Sequence, residues 1–133
     1  MKKIISILVA TFLAAPMALA EAVPGKPAPA FEVKDAAGKI QNLSGYKGKW
    51  VVLEWTNKDC PYVKKHYNSK NMQKLQKTYT DKGVSWLSVI SSKKGDQGHL
   101  SPAEATKVAS ANGAAATAIL LDESGTMGRA YGA

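Results

Sequence analysis

Cysteine is what this sequence most conspicuously lacks: Cys60 stands alone among 133 residues. No internal disulfide can form, which excludes the disulfide-framed architecture of many small exported domains. Histidine is nearly as scarce, with only His66 and His99. Cys60, His66 and His99 are the only soft candidates for copper or zinc, and a single Cys-x5-His pair lacks the ligand spacing of a metal centre. Neither a metal nor an organic cofactor is expected. No apolar run is long enough to span a bilayer comfortably. Gly125, Gly128 and Gly132 do not form a phosphate-cradling loop in the right context, and there is no internal repeat. Acidic residues are outnumbered, 10 Asp+Glu against 18 Lys+Arg, for a net charge of +8. Such a balance raises the question of nucleic acid. The lysines, however, are scattered and not stacked with aromatics into a stripe. They read as a solvated basic surface with some attraction for anions, and no nucleic-acid partner is expected.

What is present begins with a leader. Met1-Lys2-Lys3 is basic, Ile4 to Ala15 is apolar and breaks near Pro16, and Ala18-Leu19-Ala20 supplies small residues before a cut. This is the three-part layout of a secretory signal peptide, residues 1–20, which leaves one small domain over residues 21–133. The alternative is an N-terminal membrane anchor, although a lipoprotein anchor is disfavoured because no Cys follows the apolar run. Export is the expectation, to the periplasm in a Gram-negative cell, with no stable membrane insertion after cleavage.

Along the domain, Glu21 to Pro29 is Pro- and Ala-rich and reads as an extended lead-in. Phe31 to Val33 and Ile40 to Leu43 flank Ala36-Ala37-Gly38-Lys39 as a short hairpin. Trp50 to Trp55 is a nearly unbroken apolar run of the kind that suits a central strand covered on both faces. Trp50, Trp55 and Trp86 read as sheet core. Cys60 precedes Pro61, which suits the first turn of a helix. That helix is expected over Pro61 to Asp81 and closed by Gly83, with an irregularity at the polar stretch Asn68 to Asn71. Val84 to Ile90 reads as a second buried strand. Ser101-Pro102-Ala103-Glu104 is a capping box opening a helix that ends near Gly113. Ala118 to Asp122 is a third, short strand, followed by a turn leading into Thr126 to Tyr131. Strands alternating with helices predict an α/β fold with parallel pairs.

With these elements in order, the sequence resembles the thioredoxin-fold redoxins, and within them the peroxiredoxin-like part of the alkyl hydroperoxide reductase/thiol-specific antioxidant family. The resemblance is carried by Pro24-Gly25-Lys26-Pro27-Ala28-Pro29-Ala30-Phe31, the Asp35 to Lys39 turn, Gly45 to Leu53, Trp55, and Cys60-Pro61-Tyr62-Val63. Asp122 to Gly125 and Ala130 to Ala133 resemble the segment before the family's cis-proline loop. The implied fold is a central mixed sheet flanked by helices. The family pattern continues with that loop, two more strands and a last helix, so the chain is expected to be incomplete at its C-terminus, with the Trp50–Trp55 strand left at a sheet edge.

The departures from the family pattern shape the chemistry. The second cysteine of a Cys-x-x-Cys motif is replaced by Val63, so dithiol cycling within the motif is impossible. Asn57 lies where peroxiredoxins carry a Thr, with Thr56 one residue out of register, and Leu53 takes the place of an upstream Pro. The closest pattern is one Cys followed by Pro61 and by Lys64-Lys65-His66-Tyr67. A thiolate at a helix start is favoured by unpaired N–H groups and the helix dipole, with Lys64 one turn along and Lys58 nearby, while Asp59 opposes. Cys60 is the candidate nucleophile and Lys64 its candidate thiolate stabiliser. His66 is expected to point away from the thiol, as a structural or exposed residue. The resulting expectation is a monothiol oxidoreductase or antioxidant protein acting on a peroxide or disulfide substrate, with an external thiol as reductant. The competing reading is a non-catalytic redoxin-fold binding module in which Cys60 is a small buried relic.

Overall fold

The computed structural model describes residues 21–133. The expected signal peptide lies outside them. Two sheets organise the chain. The first is an antiparallel hairpin of β1 (Glu32–Lys34) and β2 (Ile40–Asn42), with Val33 opposite Gln41. The second is a three-stranded parallel sheet of β3 (Val51–Trp55), β4 (Ser85–Ile90) and β5 (Ala118–Leu121), in that spatial order. A bridge between Asp35 and Leu120, with Ala36 N–H donating to Ile119 O at 2.9 Å, joins the hairpin to β5. The α/β class and the helix-flanked sheet agree with the sequence reading.

The strand expected over Trp50 to Trp55 stands at the sheet edge where the resemblance left it, and not at the centre that its apolar run alone suits. β4 occupies the centre and is buried at every position, whereas all of β3 is half-buried and forms an edge among the described residues. An apolar, β-branched run meets the requirements of an edge that is covered on both faces as well as those of a centre. Trp50 falls before the strand and is 83% exposed, so it is not core. Trp86 is core, and Trp55 is half-buried with its indole N–H donating to Ser91 Oγ at 3.1 Å.

Alternation along the strands divides the interior in two. Leu87, Val89 and Leu120 pack with Phe31, Val33 and Met127 on the hairpin side. Ile90 packs with Leu100 and Ala105 on the other. The single helix expected over Pro61 to Asp81 is two: α1 (Pro61–Asn68) and α2 (Asn71–Thr80). The break is at Lys70, whose φ of 61° is left-handed. The Tyr67 carbonyl at the break, which accepts from Lys70 N at 3.1 Å, is held further by Gln73, whose Nε2 donates to it at 2.9 Å and also to Asn112 O at 2.7 Å. That second bond ties the break to α3 (Pro102–Asn112), which starts with the expected capping box of Ser101 and Glu104. Thr126–Tyr131, left without a helical assignment by the sequence, forms α4. Its start is held by buried Asp122, whose carboxylate accepts from Gly128 N at 2.9 Å, Met127 N at 3.3 Å and Ser91 Oγ at 2.7 Å.

Asp35 fixes the hairpin. Its Oδ1 accepts from Ala37 N and Lys39 N, both at 2.9 Å, and its Oδ2 from Gln41 Nε2 at 2.7 Å. Burial works to raise its pKa, but the bonds from Gln41, Lys39 and Ala37 outweigh burial and hold it below the ordinary carboxylate value. A depressed folded pKa means this stabilisation is complete above the unfolded pKa of about 3.9 and is lost as pH falls through the folded value. Asp35→Asn should therefore cost about 1–3 kcal/mol at neutral pH, from the loss of the Gln41 bond and of the charge on the others. The difference from the parent chain should shrink below about pH 4 in urea titrations run across that range.

Candidate functional site

β3 ends by pairing onward: Thr56 N–H donates to Val89 O at 2.9 Å, the last sheet bond before the chain leaves for α1. The loop between them is wound around Asn57. Its Oδ1 accepts from Asp59 N at 2.8 Å, and its backbone O from Cys60 N at 3.0 Å. Cys60 then caps α1, with an extended backbone (φ −66°, ψ 125°), Pro61 as the first helical residue, and Lys64 N–H donating to the Cys60 carbonyl at 3.0 Å. The Cys60 side chain makes no capping hydrogen bond and is half-buried. Cys60 thus stands at the N-terminal end of α1, where the first-turn N–H groups have no intrahelical partner.

The sequence-derived neighbours are only partly gathered. Lys58 reaches Asp59, Nζ to Oδ2, at 2.6 Å. That bond, ahead of the opposing effect of burial, holds the Asp59 carboxyl below its ordinary value. Asp59 is thus charged at neutral pH, and its charge beside the sulfur is offset locally by Lys58. Lys64 lies one turn along, exposed, and is in no ion pair among the described residues. His66 is exposed, with Nδ1 3.1 Å from Asn71 Nδ2. His99 stands 3.4 Å from Glu123 Oε1. Among the described residues no cluster of three His, Cys, Asp or Glu side chains could hold a metal.

Two features around the loop escaped the sequence reading. Gly98 is buried with φ +86°, and a Cβ placed there would fall on the Asn57 side-chain amide. The loop after β4 therefore presses on the residue that shapes the Cys60 turn. Asn57 Nδ2 also reaches Gln97 O in the same loop at 3.5 Å. The second feature is Glu54, whose carboxylate lies under the two helices. Tyr67 OH donates to its Oε1 at 2.8 Å. Its Oε2 accepts from Gln76 Nε2 at 2.9 Å, Trp86 Nε1 at 2.7 Å and Ser88 Oγ at 3.2 Å. Gln76 is fully buried, and its Oε1 takes the N–H of Ala115 at 2.8 Å. The cluster thus clamps α1, α2, β4 and the entry to β5 to one carboxylate. The signal was available in the one charged residue inside an otherwise apolar strand. Burial, and then the Glu54 charge, push the Tyr67 phenol well above its ordinary value.

The family profile described as the AhpC/TSA family matches residues 24–133. Among solved structures, an uncharacterized conserved protein from Geobacillus kaustophilus is 29% identical with a TM-score of 0.71, over 82% of this chain and 57% of that one. The pneumococcal exposed lipoprotein thioredoxin of Streptococcus pneumoniae is 27% identical with a TM-score of 0.57, over 77% of this chain and 73% of that one. The thioredoxin domain of a thiol-disulfide oxidoreductase from Bacteroides vulgatus, 19% identical with a TM-score of 0.58 over 79% of this chain and 69% of that one, shares the fold. The chain thus spans less than two thirds of the Geobacillus protein it matches. Among curated proteins, none matches.

Two measurements check this geometry. Gly98→Ala should destabilise the chain by about 1–2 kcal/mol, through strain at positive φ and displacement of Asn57. It should also slow the reaction of Cys60 with an aromatic disulfide. Paired with Asn57→Ala, its cost should be less than the sum of the two singles. Tyr67→Phe should cost about 1–3 kcal/mol at neutral pH. Because the folded phenol pKa is raised, Tyr67 contributes fully below about pH 10 and loses that contribution as pH rises beyond it. The alkaline fall in stability should therefore be shallower in Tyr67→Phe.

Proposed function

The chain belongs to the AhpC/TSA family of thioredoxin-like redoxins, and from that premise we propose that it is an exported thiol oxidoreductase with antioxidant activity, working through Cys60 alone. The observation that carries this reading is the sulfur at the start of α1, half-buried and free of any capping bond. There it meets the N-terminal dipole, and Lys64 one turn along adds positive field. Export is supported by the leader-like residues 1–20 and by the exposed lipoprotein among the structural relatives.

The chemistry balances only with a second thiol from outside. With a disulfide, the Cys60 thiolate attacks one sulfur, a mixed disulfide forms and the other sulfur departs as thiolate. An external thiolate then attacks the mixed disulfide on its non-protein sulfur and releases Cys60. With a peroxide, the thiolate takes the terminal oxygen to become a sulfenic acid and the O–O bond breaks to leave an alcohol or water. One external thiol condenses with the sulfenic acid, releasing water, and a second restores Cys60. The absence of a thiol at Val63 keeps the alternative of a binding module in view, and the same assay separates the two.

One equivalent of hydrogen peroxide, or of an aromatic disulfide, should add one oxygen or one thiol adduct to the intact mass, and glutathione should remove it. Cys60→Ser should show neither change, and retention of peroxide or disulfide turnover by that variant would overturn the reading. Lys64→Gln should slow the disulfide reaction by about two- to fivefold at low ionic strength and by less at high salt.

A further inference from the structure

Beside the Cys60 turn, α1 and α3 stand apart over the sheet and leave a cleft of about 350 Å³. This lies within the range of small-molecule sites, roughly 300–1,000 Å³. Ile90 and Ile119 form its floor, Val63 one wall, and Leu100, Val108 and Ala109 the other. The polar atoms that reach it from below are already engaged, since Ser88 Oγ and Tyr67 OH both donate to Glu54. Thr56, Asn68 and Asn112 also line it with polar side chains, whereas the floor of Ile90 and Ile119 and the walls of Val63, Leu100 and Val108 give an alkyl chain apolar contact. Charge at the cleft has one sign. Lys58 and Lys64 line it and no Asp or Glu does. Lys58 is held by Asp59 at 2.6 Å, which leaves Lys64 as the cation without an ion-pair partner among the described residues.

We propose that this cleft binds a medium-chain amphipathic carboxylate, its alkyl chain on Ile90 and Ile119 between the helices and its carboxylate at Lys64. Apolar lining gives the affinity, and the lysine fixes the direction of entry. Binding of this kind requires no reaction at Cys60, so it stands or falls separately from the thiol chemistry.

The test is calorimetric titration of the full chain with hexanoate, octanoate and decanoate, and with octanol as the uncharged counterpart. One carboxylate should bind per chain. Affinity should rise about threefold to fourfold with each methylene until the cleft is full. Octanol should bind at least about fivefold more weakly than octanoate, and Lys64→Glu should weaken octanoate by a similar or larger factor. Ala109→Leu should abolish binding by filling the space from α3. Val63→Phe fills it from α1 and serves if Ala109→Leu does not fold, with thermal unfolding as the check on both. Cys60→Ser should bind octanoate as the parent does. Equal affinity for octanol and octanoate, no gain with chain length, full binding by a folded cleft-filling variant, or loss of binding in Cys60→Ser would each overturn the proposal. Failure to bind any carboxylate would overturn it too, while leaving the peroxide and disulfide assays unaffected.

Discussion

A carboxylate brought under a helix pair has to be surrounded by donors or it destabilises the fold that hides it. Glu54 meets that condition with Tyr67 from α1, Gln76 from α2, and Trp86 and Ser88 from β4. The geometry of the Cys60 helix follows from it. α1 cannot slide along the sheet without taking Tyr67 off Glu54, and α2 cannot turn about the break at Lys70 without withdrawing Gln76. Charge-assisted bonds of this kind are worth more than neutral ones, and losing one donor leaves the charge less well compensated. The position of the sulfur is therefore set by polar contacts under the helices as much as by apolar packing. The Asn57 turn then decides how the chain rises from β3 to Cys60.

Much of this could be read from residue order. Pro61 after Cys60, the Ser101–Glu104 box and the apolar runs mark the helix starts and strands, because capping and periodicity are local. The polar stretch Asn68 to Asn71 marks the break between α1 and α2, although not the left-handed Lys70 that makes it. Strand order was less legible. Val51–Trp55 and Ser85–Ile90 have similar composition, and only pairing across the chain distinguishes an edge from a centre. Trp50, one residue before the strand, was assigned to the core by residue type, but its backbone position turns it to solvent. The site divides in the same way. Cys60 at a helix start is a sequence feature, whereas Gly98 against Asn57 joins residues far apart in the chain and has no local signature. Glu54 was visible as an odd charge in an apolar strand, but its four donors come from elements that meet only in the folded protein.

The departures from the dithiol pattern acquire meaning within this frame. Val63, where a second thiol would stand, lines the apolar cleft beside the helix start. The replacement removes internal disulfide chemistry and adds apolar surface next to the remaining sulfur. A lone sulfur at a helix N-terminus can still attack, but every turnover then depends on a thiol from outside the chain.

The most direct test of the central claim, that the fold activates Cys60, is its alkylation by iodoacetamide followed by intact mass across a range of pH, in buffer and in urea. Activation by the helix start requires the folded chain to react faster near neutral pH than the same chain unfolded in urea. Equal rates in the two states, or slower reaction in the folded chain, would contradict it and leave Cys60 a structural residue of a binding module.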